Sequence, residues 1–333
     1  MQFWLASLAC ALLAACTTAS AKSPARSDYT AQLTALEKLQ ALDQKLQNVG
    51  WRLVRGNAQF CEQTLPSIGL QLQDAVSYRE PETVRATLGM DGDFAVQTVA
   101  RESPAWNVGG LSFGREIARL NGEQLNAWPA EERSHWQRLT RAHDFIDAAL
   151  AKDDRIFVGL ASGGDLMIPP VEVCASRFEL AGNSKRALAE GSRVVIGARF
   201  PGFDYPEDEF AAAIAHELAH NVLRHRIWLE ANGRKRKHVR LTEREADRLM
   251  PWLLANAGYD PDAAYRFMTK WGPRHDGGLF RARTHDGWDE RADFILAEIA
   301  QIESLQTQPD SEDSADWRTH FRREIDPDAP SNR

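Results

Sequence analysis

The sequence has no basic excess. Lys and Arg number 40 against 47 Asp and Glu, a formal charge of −7 over 333 residues, which excludes the electrostatic footprint of a nucleic-acid binder. The one basic run, RKRKHVR from Arg234 to Arg240, is short and reads as a solvated loop. Long apolar runs are also missing. The most apolar stretch, MQFWLASLACALLAAC at the N-terminus, is too short to span a bilayer, and no Lys or Arg precedes it. Cysteine is scarce: of four in all, only Cys61 and Cys174 lie beyond the first sixteen residues. What remains is ordinary for a globular chain, 43% hydrophobic and 26% charged, and long enough for two domains with separate cores.

The apolar N-terminal stretch reads as a secretory signal over residues 1–15. It ends in Leu13-Ala14-Ala15-Cys16, which resembles the lipobox of bacterial lipoproteins. That resemblance implies cleavage before Cys16 and lipid on its sulfur. Thr17, in place of Asp, implies an outer-membrane anchor facing the periplasm. Residues 16–27 then form a flexible tether. In that oxidising compartment Cys61 and Cys174 suggest one disulfide, with two buried thiols as the alternative.

Beyond the tether the expected class is α+β. Leu33, Leu36, Leu39, Leu42 and Leu46 recur at spacings of three and four, the stripe of an amphipathic helix, within an N-terminal helical part covering 28–84. Residues 85–173 change character, with short alternating strands broken by Gly, Pro and Asn. Ser103-Pro104-Ala105, Gly109-Gly110, Gly114, Ile117 and Asn121-Gly122 resemble the order of turns in a bacterial PDZ domain. This implies a β-rich inserted module that binds extended peptides, with Leu88-Gly89-Met90 as the loop receiving a C-terminal carboxylate. Cys61 and Cys174 flank that module. Residues 174–305 are mainly helical with a small sheet: one long helix through YPEDEFAAAIAHELAHNVLRHRIWLEA, a second starting at a Thr242/Glu245 capping box, and two more after Asp260-Pro261 and Asp289. The acidic end, 306–333, is expected to be a flexible tail.

The chemistry lies in His216-Glu217-x-x-His220. Histidines four apart on a helix project from one face and can share a zinc ion, and Glu217 between them can reach a metal-activated water. The apolar run Phe210–Ala215 fits a buried active-site helix. Zinc needs a third protein ligand and an open position. Leu223 stands where a metzincin would have Gly, so that arrangement is excluded. Glu243 in TEREAD offers the ligand instead, and Asp247, one turn on, can orient a ligand imidazole. His225 comes too late for a ligand and reads as surface, and Asn221 reads as a backbone contact.

The HExxH motif followed by E-x-x-A-D resembles metallopeptidase family forty-eight, the gluzincins that include the CAAX-prenyl and HtpX proteases. Further likeness lies in ANAGYDPDAA and THDGWDER, where Thr284, His285 and Arg291 match the family's pattern and Asp286 replaces Pro. The resemblance covers roughly residues 175–300. It implies one Zn2+ per chain held by His216, His220 and Glu243, Glu217 as general base and His285 at the oxyanion. It also implies an endopeptidase acting on misfolded or unassembled envelope polypeptides. The alternative is a peptide-binding chaperone or assembly factor whose zinc site is latent or gated.

Overall fold

The computed structural model describes residues 26–130, 134–275, 286–307 and 315–325. Its helices are α1 Arg26–Gly56, α2 Pro81–Leu88, α3 Pro104–Asn107, α4 Gln137–Asp153, α5 Glu207–Val222, α6 His225–Asn232, α7 Arg236–Asn256, α8 Asp262–His275, α9 Trp288–Gln306 and α10 Trp317–His320. The strands are β1 Thr64–Ser67, β2 Leu70–Asp74, β3 Phe94–Val99, β4 Ile117–Leu120, β5 Glu123–Gln124, β6 Ile156–Leu160, β7 Asp165–Ile168, β8 Val171–Cys174, β9 Arg177–Leu180, β10 Ala187–Ala189 and β11 Arg193–Ile196. The class is α+β.

Two hydrophobic cores divide these elements. The first gathers α1, α5, α7, α8 and α9 with the sheet β10–β11–β9, in which β11 runs parallel to β9 and antiparallel to β10. Helix α5 lies at its centre: Phe210, Ala211, Ala212, Ile214, Ala215, Leu218 and Ala219 are all fully buried. A helix apolar over most of its circumference is stable only when largely surrounded, and small alanines let its neighbours approach. At the other end of its sequence pattern, α1 buries Leu46, Val49 and Leu53 but leaves Leu33 exposed.

The second core joins the hairpin β2–β3, the sheet β5–β4–β6–β7 and helix α4 around Phe94, Ile117, Leu120, Ile156 and Ile168. It begins earlier than the expected boundary at residue 85. Ile68, Leu70 and Leu72 belong to it because β2 pairs with β3. The unit leaves and rejoins the first core through the ribbon β1–β8, where Thr64 faces Cys174. Cys61 and Cys174 are disulfide-bonded there, with Cα atoms 5.5 Å apart. A bridge across 113 residues restricts the unfolded chain enough to contribute about 4–5 kcal/mol in the chain-entropy account. Polar contacts from α1 add to the neck: Gln44 Nε2 donates to Val99 O at 2.8 Å, and Asp43 Oδ2 accepts from Gln97 at 3.1 Å.

Several expectations need correction. The long helix around the HExxH motif is two helices, broken where Arg224 adopts a left-handed backbone at φ 58°. Helix α7 begins at Arg236, so much of the basic run is helical rather than loop; Glu245 lies mid-helix, and Thr242 Oγ1 donates to Val239 O instead of capping an N-terminus. Residues 315–325 are not a free tail: Ala315, Trp317, Phe321 and Ile325 are buried, and the Trp317 indole donates to Asn57 Oδ1 at 3.0 Å. Aromatic burial outweighs the acidic composition of this stretch.

Candidate metal centre

Helix α5 carries His216 and His220 on one face, one turn apart, and α7 crosses that face with Glu243 and Asp247. The three donor groups converge. His216 Nε2 lies 3.3 Å from His220 Nε2 and 3.4 Å from Glu243 Oε2; His220 Nε2 lies 3.6 Å from Glu243 Oε1. Donors held at about 2.0–2.1 Å by a tetrahedral zinc stand about 3.3–3.4 Å from one another. Two imidazole nitrogens and a carboxylate at these separations therefore fit that ion in both geometry and chemistry, and among the described residues they form the candidate cluster.

Each histidine is supported from behind. Asp247 Oδ1 sits 3.1 Å from His216 Nδ1, off the ideal line of its N–H. Arg291, from α9, donates to both Asp247 oxygens at 2.6 and 2.7 Å. Burial opposes a charge on His216, but Asp247 and Glu243 overcome it and push its pKa up to about 10. Burial also opposes ionisation of Asp247, yet Arg291 and His216 hold it below the usual carboxylate range. His220 is different. Burial takes its pKa down to about 3, against the pull of Glu243 and with His216 and His225 adding to the fall. Its Nδ1 meets His225 Nδ1 at 2.9 Å.

Glu217 lies between the two histidines, partly buried at the cleft. Burial pushes its pKa up to about 7; His216 and a backbone hydrogen bond from Ala189 pull it down, and Glu243 pushes it up. Ala189 belongs to β10, the edge of its sheet, so α5 and this edge strand together border the site. The cleft has a volume of about 590 Å³, and its lining includes the apolar Leu188, Phe200 and Trp271 and the basic Lys185, Arg186 and Arg234. Asn221 ties α5 to the β10–β11 turn: its Oδ1 accepts from Gly191 N at 2.8 Å, and its Nδ2 donates to Ser176 Oγ at 2.8 Å.

The structure therefore brings together His216, Glu217, His220, Glu243 and Asp247. It does not leave Leu88-Gly89-Met90 free for a carboxylate. Gly89, left-handed at φ 68°, is the C-cap of α2, and its amide and that of Met90 both donate to Arg85 O. His285 and Cys16 lie outside the described residues. Asp286 accepts from Arg244 at 2.9 Å and lies 3.5 Å from Arg240, which gives the residue standing in place of Pro a partner in α7.

Sequence reasoning missed His225, Glu245 and Arg323. His225 is 1% exposed, not superficial. Its Nε2 meets Glu245 Oε2 at 3.0 Å, and Arg323 closes on the same carboxylate oxygen at 2.9 Å. The pattern H-x-x-x-x-H from His220 to His225 was the available signal, but only the turn at Arg224 makes the two rings meet. Comparison with protein-family models and with curated proteins finds no match for this chain.

Proposed function

We propose that the protein is a zinc-dependent endopeptidase, a gluzincin resembling metallopeptidase family forty-eight. We further propose that lipid on Cys16 anchors it to the periplasmic side of the bacterial outer membrane, where it hydrolyses misfolded or unassembled envelope proteins. One observation carries the activity: the Nε2 atoms of His216 and His220 stand 3.3 Å apart, and the Glu243 carboxylate reaches them with Oε2 at 3.4 Å and Oε1 at 3.6 Å, with Glu217 beside them.

Zinc held there would supply Lewis acidity to an attacking water and to the scissile carbonyl. Glu217 takes the proton from that water and returns it to the leaving amine. A carboxyl group poised at about 7 suits both halves of this transfer. Asp247 and Arg291 keep the His216 ring in place. The outer edge of β10 offers backbone groups along which an extended peptide can pair, and Leu188, Phe200 and Trp271 offer apolar walls for its side chains. The unit from Ile68 to Ile168 is read as the inserted PDZ-like module. Support for that reading comes from Ser103, whose Oγ accepts from the Trp106 amide and caps the short helix that starts at Pro104, and from positive φ at Gly109, Gly110 and Gly114.

The test is casein cleavage by the chain from residue 17 onward. Activity lost to a zinc chelator and restored by stoichiometric Zn2+ is expected. Zinc bound one per chain without cleavage of casein or an unfolded outer-membrane protein would contradict the reading.

A further inference from the structure

A line of polar groups leaves the site on the side of His220 and ends in the C-terminal segment. His220 Nδ1 meets His225 Nδ1 at 2.9 Å, and His225 Nε2 meets Glu245 Oε2 at 3.0 Å. Glu245 is wholly buried and fully engaged. Its Oε2 also accepts from Arg323 Nη2 at 2.9 Å, and its Oε1 accepts the amides of Glu324 at 2.5 Å and Ile325 at 2.8 Å. Arg323 Nη2 donates to Leu223 O at 3.1 Å as well, the carbonyl just past the end of α5.

The direction of every proton in this line follows from its far end. An ionised carboxylate accepts only, so a neutral His225, the form its burial favours, carries its proton on Nε2. Its Nδ1 is then a bare acceptor, and His220 must present a proton on Nδ1 to meet it. That leaves His220 Nε2 with a free lone pair, aimed at His216 and Glu243. In a neutral imidazole, the hydrogen bond made by one nitrogen decides which nitrogen is free.

We propose that Glu245, clamped by Arg323 and the Glu324 and Ile325 amides, locks His225 and through it His220 in the tautomer whose Nε2 is bare toward the site. His225, Glu245 and Arg323 are positioning residues, and the segment 323–325 is a built part of the centre although it lies about 80 residues away in sequence. The consequence for metal affinity rests on the zinc reading; the tautomer does not.

The experiment uses the full chain, metal-free, with ring nitrogens followed by nitrogen-15 NMR at pH 8. His220 is expected as the Nδ1–H form in the wild type. In His225→Phe, which keeps a buried ring but removes the acceptor, His220 is expected to shift to Nε2–H. Zinc affinity, read against a competing chelator, is expected to fall about ten- to hundredfold in that variant. Arg323→Ala, at a half-buried position, serves if His225→Phe does not fold. It is expected to weaken zinc by several-fold, at the lower end of the effects known for such supporting groups, while the circular-dichroism spectrum is unchanged. A wild-type His220 carrying its proton on Nε2 would overturn the proposal. So would a zinc affinity within twofold of wild type in either folded variant. A wild type that binds no zinc but shows the Nδ1–H form would instead remove the zinc reading and leave the tautomer lock standing.

Discussion

His216 and His220 are the same residue type, one helical turn apart on the same buried helix, and each is 13% exposed at its side chain. Their surroundings separate them. His216 faces a carboxylate held by an arginine and is pushed up to about 10. His220 faces another imidazole and is pulled down to about 3. Without a metal, then, one ring is a cation at neutral pH and its neighbour a neutral base with a lone pair available. The spacing of a motif brings two rings together; what stands behind each ring decides its proton.

The largest effect on this contrast is expected from Asp247→Ala. Asp247 is completely buried, with Arg291 bidentate on it. Removing the carboxylate leaves the guanidinium without its partner and His216 without support, at a cost of about 3–5 kcal/mol, read as a shifted denaturant midpoint.

Metal-free stability should next trace a dome against pH. The His216 pKa is raised above an unfolded value near 6.5, so its contribution is whole below that pH and is lost as pH rises toward about 10. The His220 pKa is depressed, so stability is lost as pH falls from about 6.5 toward about 3. Each limb has a slope of at most about 1.4 kcal/mol per pH unit. Asp247→Asn should flatten the alkaline limb, while the upper part of the acid limb, from about pH 6.5 down to about 4 and so above the range in which Asp247 itself titrates, persists; equal loss of both would break the contrast between the two rings.

A smaller effect sharpens the role of burial. Asp286 also pairs with an arginine of α7, Arg244, whose side chain is 24% exposed. Asp286 is itself 7% exposed at its side chain, so Asp286→Asn is expected to cost about 1–3 kcal/mol, less than Asp247→Ala, and to leave the charge of His216 unchanged by NMR.

Much of the centre was legible in the sequence because it follows local rules. His216 to His220 and Glu243 to Asp247 are each four residues apart, so two helices suffice to face all four inward. The cysteine pair was legible because its members flank a change in pattern. The rest depends on long-range closure. His225 reaches His220 only because Arg224 turns the chain with φ positive, which no spacing rule foresees for an arginine. Glu245 looked like a capping-box residue, yet it is a helix-interior carboxylate waiting for amides 79 and 80 residues later. The acidic composition of the C-terminal stretch hid Trp317, Phe321 and Ile325, whose burial pins it to the core. Leu88-Gly89-Met90 resembled a receptive loop, but its amides close a helix end on Arg85.

The central claim is hydrolysis at this site with Glu217 moving the proton. The direct measurement is casein cleavage by the wild type and by Glu217→Gln at equal zinc content. Cleavage by the wild type, with the variant slower by at least about a hundredfold yet holding one zinc per chain, is the predicted result. Equal cleavage by both forms, with zinc equally bound, would contradict it.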